Sequence, residues 1–379
     1  MNKFKIKTEV RFSDNAIDTL MEFENVNAVI ITDAFMEKSG VADKIAQKLC
    51  YCKSVSIFSE VVPDPPIELI TEGLKFLEKA DADVVVALGG GSSIDAAKSV
   101  VLMAKRVNNR SLKLVAIPTT SGTGSEVTQF AVITDKNKGI KYPLVDEALL
   151  PDLAILDPEL VVTAPPSVTA DTGFDVITHA LEAYISTMCN DASDALAEKA
   201  LAIAFEYLPQ AYKDGSNIIA REKMHSASCL AGMSFNEVGL GINHGIAHAL
   251  GAKFHIPHGR ANAMLLPHVV EFNADLEGNF GSNEYTQAAI RIADVARRIS
   301  LPAQNTRTAV LSFIEELKYM LKMMKIPATL GEAGVDKFTY EKEKADIIKS
   351  ALLDTCTATN PRKVTAEDVA GILKKIEIW

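Results

Sequence analysis

Up to about residue 160 the chain alternates between two patterns. Short apolar runs bounded by turn residues come first. They are Asn27-Ala-Val-Ile-Ile-Thr-Asp33, Ser54-Val-Ser-Ile-Phe58, Asp83-Val-Val-Val-Ala-Leu88 and Leu112-Lys-Leu-Val-Ala-Ile117. Their length and β-branched content are those of buried parallel strands. Between them lie helical stretches at about 35–50, 67–80 and 94–105, the second entered through Pro63-Asp64-Pro65-Pro66. This alternation predicts a parallel sheet with helices on both faces. After Pro165-Pro166 strand-like runs nearly vanish. Ala- and Leu-rich segments follow at 168–187, 192–212, 218–234, 243–252, 261–276, 283–299, 306–325, 341–353 and 366–377, which predict helices. The expected division is an α/β domain over 1–164 and an all-helical domain over 165–379, packed with a cleft between them.

Composition narrows the class. With 379 residues, 48% of them hydrophobic, the chain has room for two domains and a large core. A net charge of −10 argues against nucleic acid or an anionic membrane as main partner. Five scattered cysteines (Cys50, Cys52, Cys189, Cys229, Cys356) form no framework and suggest reduced thiols in a cytoplasmic setting. Cys50-Tyr51-Cys52 has the wrong spacing for a zinc knuckle and reads as structural. The start lacks the apolar run of a signal peptide, and no stretch is apolar for long enough to span a bilayer.

Candidate chemistry concentrates in residues 243–268, which hold five of the seven histidines: His244, His248, His255, His258 and His268. Imidazole is the commonest metal ligand and the side chain best suited to proton transfer near neutrality. His244 and His248, four apart, share a helix face, and the Ile256-Pro257 turn can bring His258 back toward it. Asp175 and His179 are also four apart on a helix, with Glu182 one turn further. Alone, that pair is a helix-face contact. With the cluster, Asp175, His179, His244 and His258 could supply three imidazoles and a carboxylate, a set suited to Fe(II), Zn(II), Co(II) or Ni(II).

Two loops follow strands in the first half. Gly89-Gly90-Gly91-Ser92 sits between a strand and a helix, where bare backbone N–H groups can approach a pyrophosphate, though a plain tight turn fits as well. The usual Gly-x-Gly-x-x-Gly fingerprint is absent, because its third glycine would fall on Ile94. Pro118 to Glu126 then offers five hydroxyls, including Thr119, Thr120, Thr123 and Ser125. Two such loops at the ends of successive strands fit ligand binding in open α/β sheets. Asp33, at another strand end, suits a ribose 2′-hydroxyl and so NAD(H), or else a helix N-cap.

Together these pieces resemble the iron-containing (group III) alcohol dehydrogenase family. The motifs are Gly-Gly-Gly-Ser-Ser-Ile-Asp-Ala-Ala-Lys at 89–98, Pro-Thr-Thr-Ser-Gly-Thr-Gly-Ser-Glu at 118–126 and Asp175-x-x-x-His179-Ala-x-Glu182. His244-Gly-x-Ala-His248-x-Leu-Gly, Pro257-His258-Gly259-x-x-Asn262-Ala263 and Cys356-Thr-x-x-Asn-Pro-Arg362 complete them. The resemblance spans nearly the whole chain. It implies a Rossmann-like dinucleotide-binding α/β domain, an all-helical metal domain, and an enzyme interconverting alcohols and aldehydes with Fe(II), Zn(II) being the alternative, and NAD(H). Carried over by position, Asp175, His179, His244 and His258 become the metal ligands, and His248 the residue beside the metal that relays the proton. Gly90, Gly91 and Ser92 would hold the pyrophosphate. Thr119, Thr120, Thr123, Ser125 and Thr128 would line the cofactor site, with Lys141 near the nicotinamide ribose and Asp33 selecting NAD. Asp64 is counted with the same set. His225, His255 and His268 are read as packing or surface.

The chain departs from the family at Phe12-Ser-Asp-Asn-Ala16, where Phe-Gly-x-Gly-Ala is usual, and at Phe130, where relatives often carry a polar residue. Lys138-Gly-Ile-Lys-Tyr-Pro-Leu144, Asp194 to Lys199 and Lys223 to Met233 look most like propanol dehydrogenases of bacterial microcompartments. That likeness implies a short aldehyde as substrate, such as propanal, and a homo-oligomer that meets shell or partner enzymes. Glycerol or polyol dehydrogenases and dehydroquinate synthases, with the same fold and a metal site, are the alternatives. A non-catalytic metal- or nucleotide-binding component is a further one.

Overall fold

The computed structural model describes residues 4–136, 140–277 and 284–379. The chain parts into two compact units, one of Lys5–Ala164 with Ser216–Asn236 and one of Pro165–Gly215 with Glu237–Trp379.

In the first unit the described strands are β1 (Glu9–Phe12), β2 (Asn27–Asp33), β3 (Ser54–Val61), β4 (Val84–Gly89), β5 (Lys113–Pro118), β6 (Phe130–Asp135), β7 (Ile140–Val145) and β8 (Leu153–Leu156). Six of them form a parallel sheet in the order β1-β8-β5-β4-β2-β3, while β6 and β7 pair antiparallel. Alternate residues point to opposite faces, and both faces are buried. Val29, Ile31, Val85, Ala87, Leu114 and Ala116 pack with α3 (Ile67–Lys79) and α4 (Gly91–Asn108). Ile30, Val86, Leu88, Val115, Ile117 and Ile155 pack on the other side with α2 (Val41–Lys48) and the 3-10 turn Ala16–Glu22. The single helix expected over 35–50 is two, α1 (Ala34–Lys38) and α2, because Gly40 enters the left-handed region between them. At the departure noted in the sequence, Asn15 takes φ 60, so an asparagine supplies the backbone that the family's usual glycine allows. Strands β1 and β8, four residues each, were too short to stand out in the hydrophobic pattern. Helix α7 (Ile218–Val238) lies mostly in this unit.

The second unit is helical: α5 (Pro166–Ile185), α6 (Asp191–Lys213), α8 (Ile242–Phe254), α9 (His258–Ala274), α10 (Gln287–Arg298), α11 (Thr306–Met323), α12 (Lys337–Leu353) and α13 (Ala366–Ile376). Each lies within a few residues of its predicted span. Ile246, Leu250, Met264, Leu265, Tyr340, Ile347, Val369 and Leu373 draw α8, α9, α12 and α13 around one core. Helix α5 is buried over almost its whole length after the first turn. A polar side chain on it therefore needs a partner inside the protein. Among the described residues no helix is long and apolar enough to cross a membrane.

Candidate metal centre and nucleotide loops

Three helices of the second unit bring four side chains to one point. Asp175 and His179 sit one turn apart on α5, His244 on the first turn of α8, and His258 opens α9. Their ligand atoms all lie within 4.8 Å of one another. Asp175 Oδ1 is 3.9 Å from His179 Nε2, 3.8 Å from His244 Nε2 and 3.4 Å from His258 Nε2. Donors arranged tetrahedrally about an ion at ~2.0–2.1 Å are ~3.3–3.5 Å apart. The four side chains are thus close to a coordination shell. A glycine makes this approach possible. A Cβ on Gly259 would fall 2.1 Å from the Asp171 carbonyl oxygen, so only glycine lets the start of α9 sit against α5.

The histidines are held by partners of their own. His244 Nδ1 is hydrogen-bonded to Glu182 Oε2 at 2.5 Å, and Glu182 Oε1 accepts from the Asn243 backbone N–H at 2.7 Å. Burial pushes the Glu182 carboxyl up to about 8. Burial, and then the neighbouring histidines, hold the His244 imidazole well below its usual range. Glu182 Oε2 and His244 Nδ1 thus share one proton, and with it on Nδ1 the Nε2 lone pair is turned to the centre, the arrangement of a carboxylate that orients a metal-bound histidine. Asn262 reports on the same point. Its Oδ1 accepts from Asn243 Nδ2 at 2.9 Å, which fixes the amide. Its Nδ2 then faces Asp175 Oδ1 at 2.7 Å, His244 Nε2 at 3.1 Å and His258 Nε2 at 3.2 Å. One amide NH₂ meets three atoms able to accept, which marks a spot rich in lone pairs. A divalent cation needs the same, and the donor set fits one.

His248, one turn beyond His244, stands beside this set without joining it. Its ring lies 5.3 Å from that of His258, centre to centre, and its Nδ1 is 2.8 Å from Asp354 Oδ2. Two residues here were not drawn from the sequence as part of the site. Glu182 was noted only as a turn beyond His179. Asp354 gave no signal, since nothing in its spacing links it to the histidines.

In the first unit, β4 and β5 are neighbours and their following loops meet. Gly90 caps α4 and Gly91 begins it, at the N-terminus of an 18-residue helix. A Cβ on Gly91 would lie 2.9 Å from Thr123 Cγ2, and one on Gly90 3.5 Å from Thr120. Gly90, Gly91, Thr120 and Thr123 are therefore brought together, with Ser92 half-buried next to them and Thr119 buried at the end of β5. Asp33 does cap a helix: Oδ1 accepts from the Phe35 and Met36 N–H groups at 2.8 and 3.1 Å. Its Oδ2 is turned to Ser93 Oγ, 3.4 Å away, at the start of α4.

Ser125 and Thr128 face inward instead. The fully buried Lys98 ammonium donates to Ser125 Oγ at 3.0 Å, Thr128 O at 2.8 Å, Thr128 Oγ1 at 3.2 Å and Phe130 O at 2.8 Å. Ser125 Oγ donates to Asp95 Oδ1 at 2.6 Å, and Asp95 Oδ2 accepts from Val132 N–H at 2.9 Å. Burial lowers Lys98 to about 8, against the pull of Asp95 and Glu126. Lys98 and Asp95 thus tie the first glycine motif to the second loop, a role their place in the motif did not reveal. His225 of α7 reaches the same loop, its Nδ1 3.0 Å from Ser121 Oγ, and burial lowers it to about 4. It is a packing histidine, as expected, but it packs against the candidate cofactor loop. Asp64 stands exposed, in the left-handed region, in the turn before α3. Lys141 belongs to β7, and its side chain lies outside the described residues.

Comparison with known proteins agrees with this geometry. Residues 7–158 match the family model "Iron-containing alcohol dehydrogenase", and residues 169–377 match "Fe-containing alcohol dehydrogenase family, C-terminal". The 1-propanol dehydrogenase PduQ of Citrobacter freundii is 43% identical over 99% of this chain and 100% of its own length. That of Salmonella typhimurium is 41% identical over the same shares. Among solved structures, a 1,3-propanediol oxidoreductase is 33% identical, with a TM-score of 0.90, over 99% of this chain and 100% of that one. With both halves matched and its three-histidine, one-aspartate cluster in place, the chain belongs to the iron-containing alcohol dehydrogenase family.

Proposed function

We propose that this member of the family is an NAD(H)-linked reductase of short aldehydes, interconverting propanal and 1-propanol or their near homologues. Interconversion of alcohols and aldehydes comes with the family. The short substrate is supported by the propanol and propanediol enzymes among its relatives. The observation that carries the reading is the convergence of three histidine nitrogens and one aspartate oxygen on one point, with His244 Nδ1 turned to Glu182. Asp175, His179, His244 and His258 would hold Fe(II), or Zn(II) as the alternative, since both accept these ligands.

What a bound Fe(II) supplies is Lewis acidity toward the substrate oxygen. The chain's own residues do the rest. Glu182 and Asn262 keep the His244 ring in its ligating orientation and tautomer. His248, with Nδ1 committed to Asp354, keeps Nε2 open to take the alcohol proton in oxidation and return it in reduction, a role worth ~10²–10⁴ in rate. The N–H groups of Gly90, Gly91 and Ser92 would hold the cofactor pyrophosphate at the start of α4, ringed by the hydroxyls of Thr119, Thr120 and Thr123. Asp33 would bind a ribose 2′-hydroxyl and repel a 2′-phosphate, favouring NAD(H) over NADP(H). Ser125 and Thr128 would serve through Lys98 by shaping the loop. Asp64 and Lys141 enter the set on the resemblance alone.

The test is NADH oxidation with propanal by metal-stripped protein, after anaerobic addition of Fe(II) or Zn(II). Restoration by Fe(II) is expected. Restoration by Zn(II) alone would remove the iron assignment, and no activity with either would remove the substrate reading. The subfamily resemblance also supports a homo-oligomer working inside a bacterial microcompartment. Co-purification with intact shells, set against the free cytoplasmic fraction, checks this.

A further inference from the structure

We propose that Asp354 is the positioning residue of His248, the carboxylate that decides which imidazole nitrogen is open for proton transfer. The inference rests on the relay reading of His248 and adds to it. Asp354 caps the 3-10 turn Thr355–Thr359, and its Oδ1 accepts from the Cys356 N–H at 2.8 Å. That bond fixes the carboxylate plane and leaves Oδ2 for His248 Nδ1, 2.8 Å away. The His248 side chain is 42% exposed and the Asp354 side chain 18%, so a partly open ring is tethered to a mostly covered anchor.

The backbone brings the anchor there. A Cβ on Gly245, one turn before His248, would fall 2.4 Å from Thr357 Oγ1 and 3.0 Å from the Ala351 carbonyl oxygen. Thr357 Oγ1 itself donates to that carbonyl at 2.6 Å, closing the segment that carries Asp354. Helix α8 therefore rests on residues 351–357 at a distance only glycine permits, and His248 meets a carboxylate already in place. This gives Gly245 of the His-Gly-x-Ala-His motif a reason.

The consequence is a choice of tautomer. An untethered neutral imidazole carries its proton on either nitrogen. With both oxygens acceptor-only, Asp354 selects the Nδ1–H form, and the Nε2 lone pair is left to take the substrate proton. Asn at this position has one oxygen for two donors. With that oxygen on the Cys356 N–H, its NH₂ faces His248 Nδ1 and favours the tautomer in which Nε2 is already protonated. Asp354→Asn keeps the shape and the cap and should still lower kcat ~10–100-fold, the range for orienting carboxylates. Asp354→Ser also caps the turn but cannot reach His248, and it should lower kcat similarly. Metal content and KM for NADH should stay at wild-type values in both.

The deciding experiment is a double-mutant cycle on kcat with the metal-loaded enzyme. In a His248→Ala background, Asp354→Asn and Asp354→Ser should cause no further loss. An equal loss in both backgrounds would show a structural role and overturn the inference. So would unchanged kcat in the Asp354 variants while His248→Ala is impaired. If His248→Ala itself leaves kcat unchanged, the relay reading falls and this inference falls with it.

Discussion

Replacing Glu182 with Gln should weaken metal binding without touching any ligand. Both carboxylate oxygens of Glu182 are in use, Oε1 by the Asn243 N–H and Oε2 by His244 Nδ1. Glutamine has the same shape but one acceptor oxygen. If its NH₂ faces Asn243, a buried backbone N–H loses its partner, at ~1–3 kcal/mol. If it faces His244, the imidazole must accept at Nδ1 and carry its proton on Nε2, which points at Asp175 and Asn262 and can no longer ligate. Loss of an orienting carboxylate typically costs ~10–100-fold in metal affinity, or ~1.4–2.8 kcal/mol. The measurement is the dissociation constant for Fe(II) and for Zn(II), by competition with a chelator of known affinity. Circular dichroism of the metal-free variant checks that it folds. An affinity within twofold of wild type would refute the claim that Glu182 sets the His244 tautomer.

Three further outcomes follow from the first unit. Lys98→Met removes the donor to four oxygens and leaves Asp95 without its buried countercharge. It should cost ~3–5 kcal/mol in urea unfolding and raise KM for NADH; a loss below ~1 kcal/mol would sink this account. His225, which burial holds at about 4 against an ordinary 6.5, resists protonation in the folded state. Its contribution is intact above pH 6.5 and is lost as pH falls toward 4, by up to ~3 kcal/mol. His225→Gln should flatten that acid slope of the unfolding midpoint, and parallel slopes would contradict the assignment. Asp33→Ser keeps the cap of α1 but removes the charge, so NADPH should gain on NADH by ~10-fold or more in kcat/KM. An unchanged ratio would mean that Asp33 only caps.

Most of the parallel sheet and every helix of the second unit were legible, because apolar runs and 3.6-residue periodicity are local signals. What escaped was the antiparallel pair β6–β7, and otherwise features that were short or non-local. Strands β1 and β8 have four residues each and become strands only by pairing with each other and with β5. The break at Gly40 is a matter of one dihedral. The four candidate ligands could be picked out because Asp175–His179 and His244–His248 follow helical spacing within dense motifs, and the structure brings the four together. Glu182 was visible as a neighbour, but its bond to His244 joins residues on two helices. Asp354 and His225 lie about a hundred positions from the groups they touch, and no periodicity reports such a contact.

The candidate ligands come from α5, α8 and α9, so an ion bound there is also a cross-link between distant parts of the chain. Closing long loops in the folded state alone adds stability through mass action, ~2.7 kcal/mol at a free metal concentration of one hundred times Kd. Helices α8 and α9 should then be the parts whose protection tracks occupancy: rigid when loaded, open to proteases and hydrogen exchange when stripped. Metal removal should then be read out as faster proteolysis of the folded chain as well as lost activity.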